Sequence, residues 1–232
     1  MSITSKQKEC HQANLILNKS NLNFQNFGNV SVRLDSEKFI IKPSGVNLQK
    51  TKYFDYPVFS ITKNKKILGK LRESSDTQTH AILYKKYPNI NSVIHAHSKY
   101  SVIWAQSKKS IPILGTTHAD YWGESIMVTN SLIISEIKKD YEKNIGKSII
   151  SKIKKRDPLK YPGILVANHG PFCWGENSFE AIKNIERLEF IAELAYKTII
   201  LKKTPLIHKE LINKHYERKN GKASYYGQKI NH

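Results

Sequence analysis

The sequence has few cysteines, few acidic residues and no long apolar run, and each shortage excludes a class of protein. Its 232 residues contain 2 cysteines, Cys10 and Cys173, which lie far apart and form neither a disulfide framework nor a recognisable cysteine metal motif. No segment approaches the roughly 18 to 20 apolar residues of a membrane-spanning helix. The first residues lack the apolar core of a secretory signal. We therefore expect a cytoplasmic protein with reduced thiols and no membrane partner.

The shortage of acidic residues leaves a strongly basic chain. Lys and Arg number 38 against 19 Asp and Glu, which gives a formal net charge of +19. Such a charge can indicate a nucleic-acid partner, because phosphates attract cationic side chains. The lysines, however, are scattered in separate short groups, and abundant Lys, Ile and Asn is typical of a biased genome composition. We therefore expect no nucleic-acid partner, but a surface that attracts a phosphorylated substrate.

The length and the periodicity predict one α/β domain over residues 1–232. No repeat or linker divides the chain. Alternating apolar residues predict a hairpin of strands, whereas 3 and 4 spacing predicts helices. The predicted hairpin spans 30–34 and 38–42, and the predicted helices span about 5–19, 76–86, 100–106, 131–142, 145–155, 178–202 and 204–221.

Two histidines follow a short apolar run at His95 and His97. Val93 and Ile94 are β-branched, and Pro88 precedes them, so the run is predicted to be a buried strand. Residues two apart in a strand face the same side, which would place both imidazoles in one space. An isolated pair of this kind is weak evidence for a metal site, since packed or surface histidines also occur at this spacing.

A third histidine ends another apolar strand. His169 follows 163–167 and is followed by Gly170 and Pro171. Zinc takes about four N, O or S ligands, and a catalytic zinc leaves one position to water or substrate. His95, His97 and His169 are therefore candidate ligands of one divalent ion.

Three loops have the composition of oxyanion sites. Phe27-Gly28-Asn29 precedes the first strand of the hairpin, and Lys42-Pro43-Ser44-Gly45 follows the second. Ser74 and Ser75 precede a predicted helix capped by Ser75 or Asp76, and the free N–H groups of a helix start favour an anion. Ordinary turns and simple capping are the alternatives that each loop leaves open.

Taken together in chain order, these motifs resemble the class II aldolase family and, within it, the L-ribulose-5-phosphate 4-epimerases. The resemblance spans nearly the whole chain. It rests on the motifs at 28–31, 42–45, 74–77, 95–98, 115–121, 168–172, 214–219 and 225–228. It implies a three-layer α/β/α sandwich around a central, largely antiparallel sheet. It also implies a homotetramer with sites between subunits, in which the tail of about 204–232 completes the neighbouring site.

The resemblance also assigns roles to single residues. It implies that Asp76 joins the three histidines at a Zn2+ ion, although such a site accepts other divalent ions. Asp120 and Tyr226 match the pair that donates and accepts protons. The residues matching substrate or phosphate contacts are Gly28, Asn29, Ser44, Gly45, Ser74, Ser75, His215 and Arg218. Glu73 and Gln78 replace prolines of the family pattern, and an acid at 73 is unfavourable beside a phosphate.

The implied reaction is 4-epimerisation of L-ribulose 5-phosphate to D-xylulose 5-phosphate, in arabinose or ascorbate breakdown. The C4 hydrogen is not α to the carbonyl, so the C3–C4 bond must break and re-form through a metal-stabilised enediolate. Two acid/base groups on opposite sides of C4 suit that reaction. The nearest alternative is a class II aldolase that cleaves another sugar phosphate, such as L-fuculose 1-phosphate. A non-catalytic adducin-like binding domain is the alternative outside enzymes.

Overall fold

The computed structural model describes residues 2–202, 205–221 and 224. Its central feature is a seven-stranded sheet in the order β4-β3-β2-β1-β5-β7-β6, in which every pair of neighbours is antiparallel. The strands are β1 Asn29–Arg33, β2 Lys38–Ile41, β3 Val58–Ser60, β4 Lys66–Leu68, β5 Ser92–His95, β6 Gly163–Val166 and β7 Gly170–Gly175. The predicted hairpin is confirmed as β1 and β2.

Helices surround this sheet. They are α1 Ile3–Lys19, α2 Thr77–Lys86, α3 Lys99–Ser107, α4 Thr116–Ala119, α5 Ile134–Lys138, α6 Tyr141–Ile153, α7 Ser178–Leu201 and α8 Lys209–Asn220, with a 3-10 turn at Tyr53–Asp55. None of the helices within the described ranges is long and apolar enough to cross a membrane.

Strands β1, β5 and β6 are buried at every residue, so the sheet is covered by helices on both sides. On β1, Val32 packs with Cys10 of α1, whereas Ser31 faces the other way and contacts Tyr84 of α2. The helices α3 and α7 pack together over β7, and α7 also contacts α1. These contacts confirm the predicted three-layer α/β/α sandwich with an antiparallel sheet.

The helix predicted over 131–142 is wrong in its bounds. The structure has α5 over Ile134–Lys138, and Asp140 then adopts the left-handed conformation at φ 57. The Asn144 side chain donates to the carbonyl oxygens of Glu136 and Lys139 at 3.0 and 2.9 Å, which satisfies the last turn of α5. A new helix, α6, therefore begins at Tyr141, earlier than the predicted start near 145.

Two further elements differ from prediction. Gly170 and Pro171 were expected to end a strand, but they begin β7, which lies between β5 and β6. The last helix begins at Lys209 rather than near Pro205, and Thr204 lies outside the described residues. An N-terminal proline is compatible with a helix but does not nucleate one, because helix formation needs further packing.

Candidate metal centre and substrate loops

Three histidines converge where β5 and β7 meet. His95 is the last residue of β5, His97 lies two residues further, and His169 lies in the short loop that joins β6 to β7. Within the described parts of the chain, these three form a group whose ring nitrogens lie within 4.8 Å of one another, which is close enough to hold one metal ion. The structure thus brings together the three histidines predicted as ligands.

The His95 ring is held in one orientation and one tautomer. Its Nδ1 lies 2.9 Å from the Pro171 carbonyl oxygen, which can only accept, so Nδ1 carries the proton and Nε2 keeps its lone pair. On one side the ring stacks on Phe172, with centroids 4.3 Å apart and planes 16° from parallel. Phe172 is also the residue paired with His95 across β5 and β7. The strand register therefore orients His95 so that its Nε2 is available to a metal ion.

Burial keeps these imidazoles neutral. The pKa of His95 is held well below its ordinary value, first by burial and then by His169 and His97. Burial also lowers the pKa of His97 and of His169, and the negative charge of Asp76 partly opposes both shifts. Neutral imidazoles are the form that binds a metal, and the buried Nδ1 of His169 has no partner among the described residues. The three donors fit a divalent ion such as Zn2+.

Asp76 lies beside the triad rather than within its nitrogen cluster. Its Oδ2 accepts a 2.6 Å hydrogen bond from Asn29 Nδ2, and Asn29 is paired with His95 across β1 and β5. Asp76 occupies the N-cap position of α2, as predicted, but its side chain makes no capping bond. The carboxylate is directed to Asn29 instead, and the role of Asp76 at the metal stays a prediction.

The predicted substrate loops lie together around Lys42. Its Nζ donates to the carbonyl oxygens of Asn26 and Gly28 at 2.7 and 3.0 Å, so it joins the loop before β1 to the end of β2. Gly28 has φ +76, and a Cβ there would lie 2.7 Å from the His95 carbonyl oxygen. Burial lowers the pKa of Lys42, and the Asp76 charge opposes that shift.

The second and third loops are paired by their backbones. Ser44 N donates to Arg72 O at 2.9 Å, and Ser74 N donates to Lys42 O at 3.1 Å. Gly45 adopts φ +63 with open space around its Cβ position. Ser74 is buried and Ser75 is exposed, immediately before α2. The predicted contacts Gly28, Asn29, Ser44, Gly45, Ser74 and Ser75 therefore belong to one cluster of loops next to the triad.

Asp120 is held by α8. Its Oδ1 lies 3.1 Å from His215 Nδ1 and 3.2 Å from Arg218 Nη2, and Arg218 also reaches Oδ2 at 3.2 Å. The Asn220 side chain donates to the Asp120 carbonyl oxygen at 2.9 Å. Three of the predicted residues, Asp120, His215 and Arg218, thus form one cluster, whereas Tyr226 lies outside the described residues.

The Asp120 cluster and the triad lie toward opposite ends of β7. Tyr121 and Asn220 line a cavity with Trp174 and Gly175, at the end of β7, whereas Gly170, at its start, adjoins the His95 ring. The six residues of β7 separate these ends by about 16 Å at about 3.3 Å per residue. The neighbours of Asp120 thus lie at the far end of β7 from the histidines.

Two contributors at this site were absent from the sequence-based set. Lys42 was assigned only to a loop, although a lysine directly after the apolar run Phe39-Ile40-Ile41 is a signal of a buried charge with a partner. Phe172 lies in the 168–172 motif but was given no role, because its stacking on His95 depends on the register of β5 with β7, and β7 was not predicted.

Comparison with known proteins agrees with this architecture. The sequence profile described as "Class II Aldolase and Adducin N-terminal domain" matches residues 8–196. Among solved structures, an L-fuculose 1-phosphate aldolase is similar with a TM-score of 0.78 and 22% identity, covering 94% of this chain and 97% of that one. The L-fuculose 1-phosphate aldolase from Glaciozyma antarctica PI12 gives 0.73 and 16%, covering 93% and 81%.

A third structure is described as "YgbL, a putative aldolase/epimerase/decarboxylase from Klebsiella pneumoniae". It is similar with a TM-score of 0.72 and 20% identity, covering 92% of this chain and 99% of that one. At these identities the structures establish the fold. The profile match covers most of the 232 residues, and the chain belongs to the class II aldolase and adducin family.

Proposed function

We propose that this protein is a metal-dependent L-ribulose-5-phosphate 4-epimerase that forms D-xylulose 5-phosphate by breaking and re-forming the C3–C4 bond. The observation that carries the proposal is the convergence of three neutral histidines, next to Asp76 and beside a cluster of glycine and serine loops. Family membership supports a class II aldolase type of enzyme acting on a sugar phosphate. The motifs at 115–121 and 225–228 support the epimerase within that family.

His95, His97 and His169 would hold the ion, with Asp76 as a further ligand or a charge partner. When bound, a divalent ion supplies Lewis-acid stabilisation of negative charge on substrate oxygens. Zinc suits three imidazoles, and manganese or cobalt also binds such donors. Asn29 holds Asp76 in place by its 2.6 Å hydrogen bond.

The chain's own acid/base groups would move the protons. As the C3–C4 bond breaks, the C4 hydroxyl loses its proton, the bonding pair stays on C3, and glycolaldehyde phosphate separates from a dihydroxyacetone enediolate. After the aldehyde turns over, the bond forms again and the new C4 oxygen takes up a proton. The two epimers present this oxygen on opposite sides, so Asp120 and Tyr226 would each serve one side.

The substrate loops would retain the phosphate while the aldehyde turns. Backbone N–H groups near Gly28, Gly45 and the start of α2 are suited to an anion, and Lys42 fixes the relative positions of two of these loops. Retention of the fragment is what distinguishes epimerisation from net cleavage.

The position of Asp120 supports a site shared between chains. Because Asp120 lies toward the far end of β7 from its own triad, a second copy would have to supply its Asp120 to that triad. A cyclic homotetramer would repeat this contact four times with one kind of interface.

The test is to incubate zinc-loaded protein with L-ribulose 5-phosphate and to quantify D-xylulose 5-phosphate and free glycolaldehyde phosphate. We expect D-xylulose 5-phosphate as the main product, and its loss when a chelator removes the metal. Accumulation of free glycolaldehyde phosphate would instead assign a class II aldolase reaction. Tight metal binding without turnover of L-ribulose 5-phosphate or L-fuculose 1-phosphate would reject both substrates, and a protein that binds no metal would favour the adducin-like alternative.

A further inference from the structure

The segment that carries His97 leads into a helix, α3, whose first turn is capped by a residue of another helix. Only Ala96, His97 and Ser98 lie between the end of β5 and the start of α3 at Lys99. The first N–H groups of any helix lack partners within the helix and need an acceptor. Whatever supplies that acceptor at α3 also fixes the position of the segment just before it.

Ser98 occupies the N-cap position of α3 but does not cap it. Serine is among the preferred N-cap residues, because its oxygen usually accepts from an N–H of the first turn. Here Ser98 makes no capping bond, and its hydroxyl is buried without a partner among the described residues. The local sequence signal for a cap is therefore present but unused.

Glu189 of α7 takes the place of that cap. Its carboxylate accepts from the backbone N–H groups of Tyr100 and Ser101 at 2.8 and 2.9 Å, and from the Ser101 hydroxyl at 2.6 Å. A carboxylate at a helix N-terminus satisfies free N–H groups and also interacts favourably with the helix dipole. Three bonds from one half-buried side chain tie α3 to α7.

The other side of the segment is fixed separately. The backbone N–H of His97 donates to Asn23 Oδ1 at 3.2 Å. The α7 helix that carries Glu189 is itself held against β7, since Asn184 Nδ2 donates to Trp174 O at 2.9 Å and Leu188 is fully buried. Glu189 thus fixes the start of α3 relative to α7. That start lies two residues after His97.

We infer that Glu189 is a positioning residue of the metal centre: it replaces Ser98 as the cap of α3 and so sets where His97 lies relative to His95 and His169. The inference rests on the proposed metal-binding role of the triad. Residues that orient metal ligands without contacting the ion typically change metal affinity about 10 to 100-fold when replaced. Glu189 would act through backbone geometry rather than through a hydrogen bond to an imidazole.

The test compares Glu189→Gln with Asn177→Ala. Glu189→Gln keeps the side-chain volume but removes the charge and one acceptor oxygen. Asn177 caps α7 itself by accepting from Glu180 N at 2.9 Å, at the end of that helix next to Gly175. The control therefore removes a helix cap from the same helix without touching α3. Three quantities are measured for each variant: the Kd for Co2+, the visible absorption spectrum of the Co2+ form, and the melting temperature of the metal-free protein.

We expect Glu189→Gln to weaken Co2+ binding about tenfold and to alter the Co2+ spectrum. Asn177→Ala should lower the melting temperature at least as much as Glu189→Gln does. It should leave both the Co2+ affinity and the Co2+ spectrum unchanged. Amide exchange at Tyr100 and Ser101 should rise in Glu189→Gln and stay at the wild-type rate in Ser98→Ala.

Unchanged affinity and spectrum in Glu189→Gln would overturn the positioning role while leaving the metal centre intact. Equal losses of affinity in Glu189→Gln and Asn177→Ala would also overturn it, because the effect would then follow general stability. A wild-type protein that takes up no Co2+ or Zn2+ would instead overturn the metal centre, and the role of Glu189 with it. Faster exchange at Tyr100 in Ser98→Ala would contradict the capping assignment itself.

Discussion

At the residue scale, the two glycines with positive φ in the substrate loops differ in what surrounds them. A Cβ at Gly28 would lie 2.7 Å from both Asn23 and the His95 carbonyl oxygen, whereas a Cβ at Gly45 would meet nothing within 4 Å. The left-handed conformation alone costs a non-glycine residue about 1 kcal/mol. The clash at Gly28 adds to that cost because one of the atoms that the Cβ would meet, the His95 carbonyl oxygen, belongs to the backbone of β5 and cannot move aside easily.

We therefore predict that Gly28→Ala lowers the free energy of unfolding by about 3 kcal/mol, and Gly45→Ala by about 1 kcal/mol. Urea unfolding of the two variants measures the difference directly. Equal losses would show that conformation alone, and not the approach of His95, requires glycine at position 28.

Buried histidines outside the triad make stability depend on pH. Burial lowers the pKa of His80 to about 3, where one ring nitrogen is paired with the Ser31 hydroxyl at 2.7 Å. Burial also lowers the pKa of His118 to about 4. A histidine in the unfolded chain takes up a proton below about pH 6.5, but these native histidines do not. Stability must therefore fall as pH decreases from about 6.5 toward these native values.

For His80 the loss is about 1.4 kcal/mol per pH unit, or about 2 kcal/mol between pH 7 and pH 5. We predict that His80→Asn, which can keep a bond to Ser31, reduces the pH 7 to pH 5 difference in unfolding free energy by about that amount in metal-free protein. The control is His208→Asn, because His208 is exposed. An undiminished pH difference in His80→Asn would contradict a neutral buried imidazole.

The sequence could predict the three histidines but not the contacts that neighbouring residues make at the site. Spacing two apart on an apolar run placed His95 and His97 on one side, and an apolar run before His169 indicated a second strand end. The 2.6 Å bond from Asn29 to Asp76 joins residues 47 apart in sequence, and no local pattern encodes such a contact. The resemblance brought Asp76 into the predicted set, and its cap position gave no hint of Asn29.

At the element scale, α8 is tied to the body of the protein at Asp120 and at the residues just after it, where Lys219 lies over the Tyr121 ring at 3.7 Å. The helix buries none of its residues fully. Its ties to Asp120 come from His215, Arg218 and Asn220. A helix with no buried face depends on such polar contacts and on partial packing, so its local opening should respond to a single substitution.

We predict that Arg218→Ala increases amide exchange across 209–220 by roughly 5 to 30-fold, corresponding to about 1 to 2 kcal/mol of local stability. The matched control is Glu210→Ala, whose ion pair with His208 is exposed and worth little. Exchange in α8 that is unchanged by Arg218→Ala would show that the Asp120 contact does not hold the helix.

Most elements followed from periodicity, and the exceptions have physical causes. The strong 3 and 4 spacing of α7 fixed its bounds closely, at Ser178–Leu201. The break at Asp140 depends on Asn144 reaching back to two carbonyl groups, a contact that periodicity does not encode. Strand β7 was missed because Gly170 and Pro171 normally interrupt strands. Here a Cβ at Gly170 would lie 2.8 Å from Ala96 O, and the Pro171 carbonyl binds His95.

At the scale of the whole molecule, the separation of Asp120 from the triad is the feature with the widest consequence. If the site is shared, a chain lacking His97 and a chain lacking Asp120 fail in different ways, and a mixed assembly contains some intact sites. If each chain is self-sufficient, no mixture of the two variants contains one.

We predict that His97→Ala and Asp120→Asn are each inactive alone, and that co-expressed or reassembled mixtures recover about one quarter of wild-type activity per chain, as random neighbours in a cyclic tetramer require. Each variant mixed with itself is the control. A mixture as inactive as its components would place the whole site within one chain.

The central claim is that His95, His97 and His169 hold a divalent ion, and metal stoichiometry tests it most directly. The protein is dialysed against Zn2+, freed of loose ion and analysed by mass spectrometry for metal per chain, beside His97→Ala and the His208→Ala control. We predict about one ion per chain in the wild type and in His208→Ala, and nearly none in His97→Ala. A full equivalent of metal in His97→Ala, or none in the wild type, would contradict the account.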